Sequence, residues 1–531
     1  MTDLRSLTQE ILAQEEVIKQ GGGPRGIARQ KRLNRLTARE RLVLLLDMDE
    51  PFFELGIWAG YQMYERWGEF PAAGVVCGIG RVAGRNAMII AHDATVAAGA
   101  MLPQSVKKVL RAQRIAYNCR LPIIYLVDSS GVFLPLQDEI FPDEDDFGRI
   151  FRNNSILSAC GIPQFSAIMG NCIAGGSYLP VLCDKLLMTK GSGLCIAGPA
   201  LVKSAIGQEV DSESLGGSRM HAAISGTVDF EEDDDPSCIR RLRTLLGYLP
   251  GDRPQSICRK AELDADCFYR ISSGNGKNEY DAMELLKCIA DVGSISEYKA
   301  GYGKTVVCCF AKLNDYPVGI VANQRQQVKT GKGEVQLGGV LYSDSADKAA
   351  RFVMNCNQDR IPLLFIQDVV GFMVGKTAEE SGIIRRGSKL VNAVSNSTVP
   401  KITVIVGNSF GAGHYAMCGK AYDPDFVLAW PNAKYSVMGS EQAADTLVEL
   451  RKNAAVRNGK TIDDEELRAL HEEIRKTYLA QMDIRYGAAR GWVDAVIAPH
   501  TTRDVLIQLL PLVMRRPIPE AASFHTGVIQ V

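Results

Sequence analysis

The chain is written twice, and that duplication constrains its architecture before any single residue is interpreted. Residues 162–176, IPQFSAIMGNCIAGG, align without a gap with residues 399–413, VPKITVIVGNSFGAG, at an offset of 237. Pro163 and Pro400 coincide, as do Gly170-Asn171 and Gly407-Asn408, Gly176 and Gly413, and Tyr178 and Tyr415 just beyond. Upstream, LPIIYLVDSSGVF (121–133) parallels IPLLFIQDVVGFM (361–373), setting Asp128 opposite Asp368 and Gly131 opposite Gly371. RVAGRNAMIIAHD (81–93) resembles KLNDYPVGIVANQ (312–324), and KLLMTKGSGLCIAG resembles FVLAWPNAKYSVMG. Four matched blocks in one order, with an offset that drifts from 231 to 241, point to two homologous domains rather than a solenoid. Chance likeness among buried strands is the alternative.

Each half alternates short apolar strands with amphipathic helices, which predicts an α/β fold with mainly parallel sheets. Ile123–Val127 and Phe165–Met169 are continuous apolar runs of the kind buried on both faces. Between them, DFGRIFRNNSILSAC (146–160) carries Phe147, Ile150, Phe151, Ile156 and Leu157 at helical spacing and should pack on the sheet. Turn formers at 250–280 mark the domain junction, giving domains of residues 1–265 and 266–531. The first 45 residues read as charged helices whose last apolar stripe, in TARERLVLLLD, docks on the first domain. Asp463–Gln481 reads as a half-solvated helix rather than a carboxylate cluster.

Composition removes several function classes. With 60 Lys plus Arg against 61 Asp plus Glu, the chain has no field to attract nucleic acid or anionic lipid. Its apolar stretches are broken by Pro or Gly short of the roughly 20 residues a membrane span needs, and its start lacks a secretory apolar core. A cytoplasmic protein with no nucleic-acid partner is expected. The 14 Cys include no CxxC pair and the six His do not sit beside them, so buried thiols in a reducing compartment are expected, with no metal and no disulfide framework.

The repeated small residues carry the chemistry. Ile173-Ala174-Gly175-Gly176-Ser177 and Phe410-Gly411-Ala412-Gly413-His414 each follow a buried strand and precede a predicted helix, where backbone N–H groups are free. Without large side chains a ligand oxygen can reach those amides, so the pair can form two oxyanion holes. Tight strand–helix packing also explains small residues, and duplication in equivalent places weighs against that reading alone. Lys107, Lys108 and Arg111 fall on one predicted helix and can meet nucleotide phosphates or simply face solvent. QRQQVKTGKGEVQLGG (324–339) is an insertion absent from the first half, read as a mobile lid or a second phosphate contact. Asp128 and Asp368 end strands and read as turn caps rather than bases. His414 can donate to a bound carbonyl, or it is structural. Neither a G-x-S-x-G elbow nor an H-E-x-x-H motif is present, and Gly382 to Lys389 has Ser and Lys in the wrong order for a P-loop.

At these motifs the sequence resembles the carboxyltransferase (β) subunits of biotin-dependent acyl-CoA carboxylases, particularly the methylcrotonyl-CoA carboxylase branch. The resemblance covers nearly the whole chain, through HDATVAAGA, LVDSSGVFLPLQDEIFPDEDDFGRIF, GIPQFSAIMGNCIAGGSYLP and LGGSRMHAAISGTVDF in the first half, and VVGFMVG, GNSFGAGHYAMCGKAYDP and AWPNAKYSVMGSEQAA in the second. It implies two tandem crotonase-like (ββα superhelix) domains. The first takes acyl-CoA, and the second takes carboxybiotin delivered by a biotin carboxylase/biotin carboxyl carrier partner. Carried over by position, Gly175 and Gly176 stabilise the thioester enolate, while Ala412 and Gly413 hold the ureido oxygen of biotin. Ser130 and Gly131, and Gly371, Phe372, Gly411 and His414, fall in the matching stretches around the two ligands. The implied mechanism needs no side-chain base: carbon dioxide leaves carboxybiotin, biotin takes the substrate proton, and the enolate captures carbon dioxide. The family also implies a homohexamer, a trimer of dimers, with the site shared between protomers. No AMKM-like biotinyl-lysine motif occurs, so biotin arrives on a partner.

Two departures qualify the substrate. Asp128-Ser129-Ser130-Gly131-Val132 stands where the family has Asp-Ser-Gly-Gly-Ala. The tail beyond Leu450, together with EYKAGYG (297–303), looks more like the glutaconyl-CoA decarboxylase α subunit, which runs the transfer in reverse. A crotonase-like hydratase or isomerase using the first hole alone is a further alternative, but it needs a positioned Glu or Asp that the flanking stretches do not supply.

Overall fold

The structure is a computed structural model, which describes residues 3–249, 259–272, 279–331, 333–458 and 463–517. The turn-rich stretches 250–258 and 273–278 of the expected domain junction, and the final residues 518–531, lie outside the described residues. The chain divides into two compact units, one formed by residues 13–255 and 489–491, the other by residues 1–12, 256–488 and 492–531.

The first unit holds eight strands in one sheet: β1 (Phe53–Leu55), β2 (Val75–Val82), β3 (Arg85–His92), β4 (Ile123–Ser129), β5 (Gln164–Ile173), β6 (Lys185–Thr189), β7 (Gly193–Cys195) and β8 (Phe230–Glu232). Their order is β1-β2-β3-β4-β5-β6-β8, with β7 pairing the far end of β5. The second unit has β9 (Ser296–Tyr298), β10 (Val306–Leu313), β11 (Tyr316–Asn323), β12 (Leu363–Val369), β13 (Lys401–Phe410), β14 (Phe426–Ala429), β15 (Lys434–Ser436) and β16 (Ala495–Val496) in its main sheet. Its order, β9-β10-β11-β12-β13-β14-β16 with β15 on β13, repeats the first strand for strand. The repeat seen in the sequence is therefore a repeat of topology. In each unit an antiparallel edge gives way to a parallel core, from β3–β4 onward and from β11–β12 onward.

Local chemistry explains the elements. β4, β12 and β13 are buried throughout, as continuous apolar runs covered on both faces must be. The hairpins β2–β3 and β10–β11 turn through two left-handed residues each, Ala83-Gly84 and Asn314-Asp315, the conformation that matches strand twist. Both turns are tied by a carboxylate that accepts their two amides. Asp47 bonds Ala83 and Gly84 at 2.9 and 2.7 Å, and Asp291 bonds Asn314 and Asp315 at 2.9 and 2.8 Å. Each acid is in turn paired with an arginine, Arg243 or Arg503.

The helix Ala38–Leu45 starts in a Thr37/Glu40 capping box, and Ala38, Leu42 and Leu45 enter the core of the first sheet beside Val76, Ile89 and Phe165. The helix Phe147–Ala159 lies where expected, but its buried face is Phe147, Ile150, Asn154 and Leu157, and Ile156 points outward. Strict 3.6-residue spacing selects Asn154, whose burial is made tolerable by bonds to Gln113 and to the Leu179 carbonyl. Buried thiols account for many of the cysteines. Contrary to expectation, Cys267 and Cys288 form a disulfide, with Cα atoms 6.8 Å apart, where the short helix Cys267–Ile271 packs on Ala282–Ile289. Among the described residues no helix is long and apolar enough to cross a membrane.

Candidate active site

The site begins at a bulge. The β4–β5 register breaks between Val127 and Ser129, and the β12–β13 register breaks between Gln367 and Val369. The displaced residues are Asp128 and Asp368. Each turns its carboxylate onto the neighbouring strand, over Gly170 in one unit and Gly407 in the other, where any Cβ would overlap the carboxyl group. Each then accepts the next amide, Asn171 N–H at 3.2 Å and Asn408 N–H at 2.8 Å. The repeated Asp…Gly-Asn pattern is thus one device used twice. Both acids are buried and paired, Asp128 with Arg41 at 3.4 Å and Arg35 at 3.8 Å, and Asp368 with Arg325 at 3.2 Å. Burial raises both carboxyl pKa values against the pull of these arginines. Instead of the turn caps expected from sequence, each acid accepts an amide within the neighbouring strand, β5 or β13; the arginines, 87 and 43 residues away in Arg41 and Arg325, left no local signal.

Beyond the bulge, β5 and β13 end in the same backbone turn. Ala174 and Gly411, which the offset of 237 equates, are both left-handed, with φ of 60° and 53°. Gly175-Gly176 and Ala412-Gly413 then open short helical turns, Ala174–Ser177 and Gly411–Ala416. Residues at the start of a helical turn have no earlier carbonyl to bond, so their N–H groups face outward. Opposite each stands a second glycine. A Cβ on Gly176 would lie 3.9 Å from the Cα of Gly131, and one on Gly413 would lie 3.2 Å from the Cα of Gly371. Gly131 (φ 91°) and Gly371 (φ 145°) both need a left-handed backbone. The structure therefore joins Gly131 to Gly175 and Gly176, and Gly371 to Ala412 and Gly413, as two cradles of one design.

The two differ in what stands behind them. Around Gly175 and Gly176 the nearest atoms that a Cβ would meet are the Phe147 ring and Gly131, all at 3.9 Å, so packing does not demand glycine there. No carboxylate is among these neighbours. At Gly413 a Cβ would stand 2.6 Å from a Val369 methyl, so packing does demand it. Gly175 and Ala412 are exposed.

The remaining expectations divide. Ser130 is exposed beside Gly131. Phe372 turns its ring against Gly387. His414 is largely buried: its Nδ1 lies 2.7 Å from Ser409 Oγ, which itself donates to Gln367 Oε1, and its ring sits against Gly419. Burial lowers its pKa to about 4, leaving a neutral ring held by its neighbours. Lys108 is withdrawn from the phosphate-binding set. It is buried, and its ammonium donates to the carbonyls of Ala72, at 3.2 Å, and of Val75, across the left-handed run Ala72-Ala73-Gly74. Lys107, on the exposed side of the same helix, donates to the Arg490 carbonyl at 2.7 Å, and Arg111 is half-buried. The 324–339 insertion forms a hairpin, Val328–Lys329 against Val335–Gln336. It walls a cavity of about 710 Å³ with Tyr302, Asp344, Arg386 and the Met373–Ala378 segment that follows Phe372.

Fold and site together define a duplicated α/β class in which one main-chain cradle of small residues recurs in both units. Comparison with known proteins gives the family. The carboxyl transferase domain family matches residues 29–527. The chain is 42% identical over 521 residues to the biotin-dependent 3-methylcrotonyl-coenzyme A carboxylase beta1 subunit of Mycobacterium tuberculosis, covering 97% of this chain and 96% of that one. It is 41% identical over 527 residues to the probable mitochondrial methylcrotonoyl-CoA carboxylase beta chain of Drosophila melanogaster, covering 95% and 87%. Its fold is similar to the geranyl-CoA carboxylase beta subunit of P. aeruginosa, with a TM-score of 0.82 at 32% identity over 99% of this chain and 95% of that one. The chain belongs to the carboxyl transferase family, among the β subunits of biotin-dependent acyl-CoA carboxylases, and its duplicated fold is the crotonase-like one expected.

Proposed function

We propose that this chain transfers a carboxyl group between biotin carried by a partner protein and an acyl-CoA of the methylcrotonyl or geranyl type. Gly175 and Gly176 direct their amides at the thioester oxygen of acyl-CoA, and Ala412 and Gly413 direct theirs at the ureido oxygen of biotin. The observation that carries the reading is the repetition of one backbone arrangement, a left-handed residue opening a short helical turn of small residues with a glycine facing it, in both units. On the biotin side the cradle at Gly413 is shaped by small residues, Gly411, Ala412, Gly413 and Gly371. When bound, carboxybiotin supplies the carbon dioxide and accepts the substrate proton. The protein's part is to hold both oxygens, orient them and exclude water, and each donor placed this way is worth about 3–4 kcal/mol in the transition state. Among the described residues no carboxylate lies within 4 Å of a Cβ built on Gly175 or Gly176, and in this reading the chemistry needs none. Lys107 and Arg111 are the basic groups left for the CoA phosphates in this reading. Assembly as a hexamer with a biotin carboxylase partner, in the cytoplasm, completes it.

The test is to incubate the full chain with free biotin and a panel of carboxylated acyl-CoA esters, following loss or transfer of the carboxyl group. Turnover of 3-methylglutaconyl-type or carboxylated geranyl-type esters is expected. Reaction with a glutaconyl ester alone assigns the decarboxylase direction instead, and proton exchange on acyl-CoA without biotin assigns a hydratase or isomerase.

A further inference from the structure

Asp128 and Asp368 lie outside the cradles, yet they are the least expected groups near them. Each is a buried acid at a strand bulge, three residues before the facing glycine, Gly131 or Gly371, and tied to an asparagine amide four residues before the outward amides begin. Each carboxylate therefore spans the two strand ends that carry the two parts of its own cradle.

The way these acids are neutralised separates function from packing. Arg41, which also bonds Asp235 at 2.8 Å and the Met169 carbonyl at 2.9 Å, comes from the helix Ala38–Leu45 that precedes the first sheet. Arg325 comes from the insertion after β11, beneath Gly338 and Gly339, and shares Asp368 with the Tyr280 hydroxyl at 3.1 Å. The position equivalent to Arg325 in the first unit is Ala94 at the offset of 231, so the two cations have no common origin in the repeat. The Asp, the glycine beneath it and the capped asparagine are common to both copies, while the countercharge has been supplied twice over from unrelated segments. Stability does not explain keeping a buried ion pair, because well-packed apolar replacements of such pairs are often neutral or stabilising. A demand on the geometry of the strand ends does explain it.

We propose that Asp128 and Asp368 are positioning residues, each setting the separation of the two halves of its own cradle, Asp128 for the acyl-CoA side and Asp368 for the biotin side. The assignment of sides rests on the functional reading above; the positioning role rests on the bulge, the glycine seat and the capped amide.

The experiment measures carboxyl transfer from a carboxylated acyl-CoA to free biotin by the full chain and four variants, with melting temperatures on the same preparations. The single variants are Asp128→Asn and Asp368→Asn. An amide side chain cannot both accept the asparagine N–H and face the arginine without placing its own N–H groups against a cation or a donor. The double variants, Asp128→Asn with Arg41→Gln and Asp368→Asn with Arg325→Gln, remove each acid together with its nearer arginine; in the first unit Arg35 and Asp235 remain, one charge of each sign. Turnover should fall by roughly tenfold to a hundredfold in the single variants, the scale on which small misplacements of reacting groups act. The double variants should regain melting temperature but stay slow. The KM for acyl-CoA should move only in the Asp128 variants, and the KM for free biotin only in the Asp368 variants. A merely structural role would shift both KM values together or restore turnover in the double variants along with stability, and either result overturns the positioning role. Wild-type chain that is active while the variants behave so isolates that failure. Wild-type chain that turns over no ester with biotin overturns the functional reading and the assignment of sides with it.

Discussion

Replacing Gly176 by alanine separates chemistry from packing at a single methyl group. In the folded chain that methyl would meet the Gly131 Cα and the Phe147 ring at 3.9 Å, ordinary contact distance, and Gly176 does not have the left-handed φ that would strain alanine. Gly-to-Ala exchange at a compatible position changes stability by about 0.4–1 kcal/mol, usually upward. The Cα–Cβ bond at the start of a helical turn tilts toward the turn's N-terminus, the direction in which the free amides point. The methyl therefore stands in the space where an oxygen must approach the Gly175 and Gly176 N–H groups to about 2.9 Å. Losing one such donor costs about 10²–10³ in turnover, or roughly 2.7–4 kcal/mol. The expected outcome is a variant that melts within a few degrees of wild type and transfers carboxyl groups at less than a hundredth of the rate. Gly413→Ala is the control: its methyl would stand 2.6 Å from Val369, so overpacking of about 1–3 kcal/mol accompanies its loss of activity. The assay is transfer to free biotin alongside urea or thermal unfolding of the same samples. Full activity in Gly176→Ala, or activity and stability falling in step, refutes the cradle.

Three further outcomes follow from burial elsewhere. Glu15 accepts the Trp58 indole N–H at 2.8 Å in an apolar setting that raises its pKa to about 7, so the folded form holds its proton while the unfolded chain loses it near pH 4.5; stability should fall by about 3 kcal/mol between those values and stay low above pH 7, and Glu15→Gln should abolish that slope in urea titrations at pH 5 and pH 8. His414, with a pKa lowered to about 4, takes up its proton in the unfolded chain first, so its contribution to stability is present above pH 6.5 and is lost as pH falls toward 4. For the same reason His414→Gln should leave the pH–rate profile unchanged between pH 5 and 8, and loss of an inflection near 6.5 would contradict the buried neutral ring. Lys108→Met removes the donor to the Ala72 and Val75 carbonyls and should lower stability by about 1.5–3 kcal/mol while leaving the KM for acyl-CoA as it was, which a competition assay with CoA checks.

What was readable in the sequence was what depends on local pattern. The four repeat blocks foretold the matched strand orders, because β4, β5, β12 and β13 announce themselves as apolar runs ending in Gly, Asn or Asp. Lys108 was misread although its signal was present: it lies four residues before Ala112 and eight before Ala116, on the inward face of its helix, whereas Lys107 points out. The left-handed turn at Ala174 was hidden because alanine there costs about 1–2 kcal/mol and nothing in Ile173-Ala174 advertises it; only alignment with Gly411 hints at the shared conformation. The arginines of Asp128 and Asp368 were out of reach for a different reason. Ion pairs across 87 and 43 residues are set by tertiary packing, which a one-dimensional pattern does not encode. The same holds for Asn154, where helical spacing was legible but the partners that permit a buried amide were not.

The two copies also act as each other's control. Gly170 and Gly407 are demanded by packing in both units, since an aspartate carboxylate fills the space above each. Gly413 is demanded by packing in one unit, against Val369, while its counterpart Gly176 has room for a side chain. A cause that operates in only one copy cannot explain a feature present in both. What Gly176 and Gly413 do share is the third position of a short helical turn, a left-handed residue that opens that turn and a facing glycine across a gap. In the first unit packing leaves room for a side chain at Gly175 and Gly176, so on the proposed reading the small residues there serve something that must approach the backbone from outside, an atom that gains negative charge as it does so.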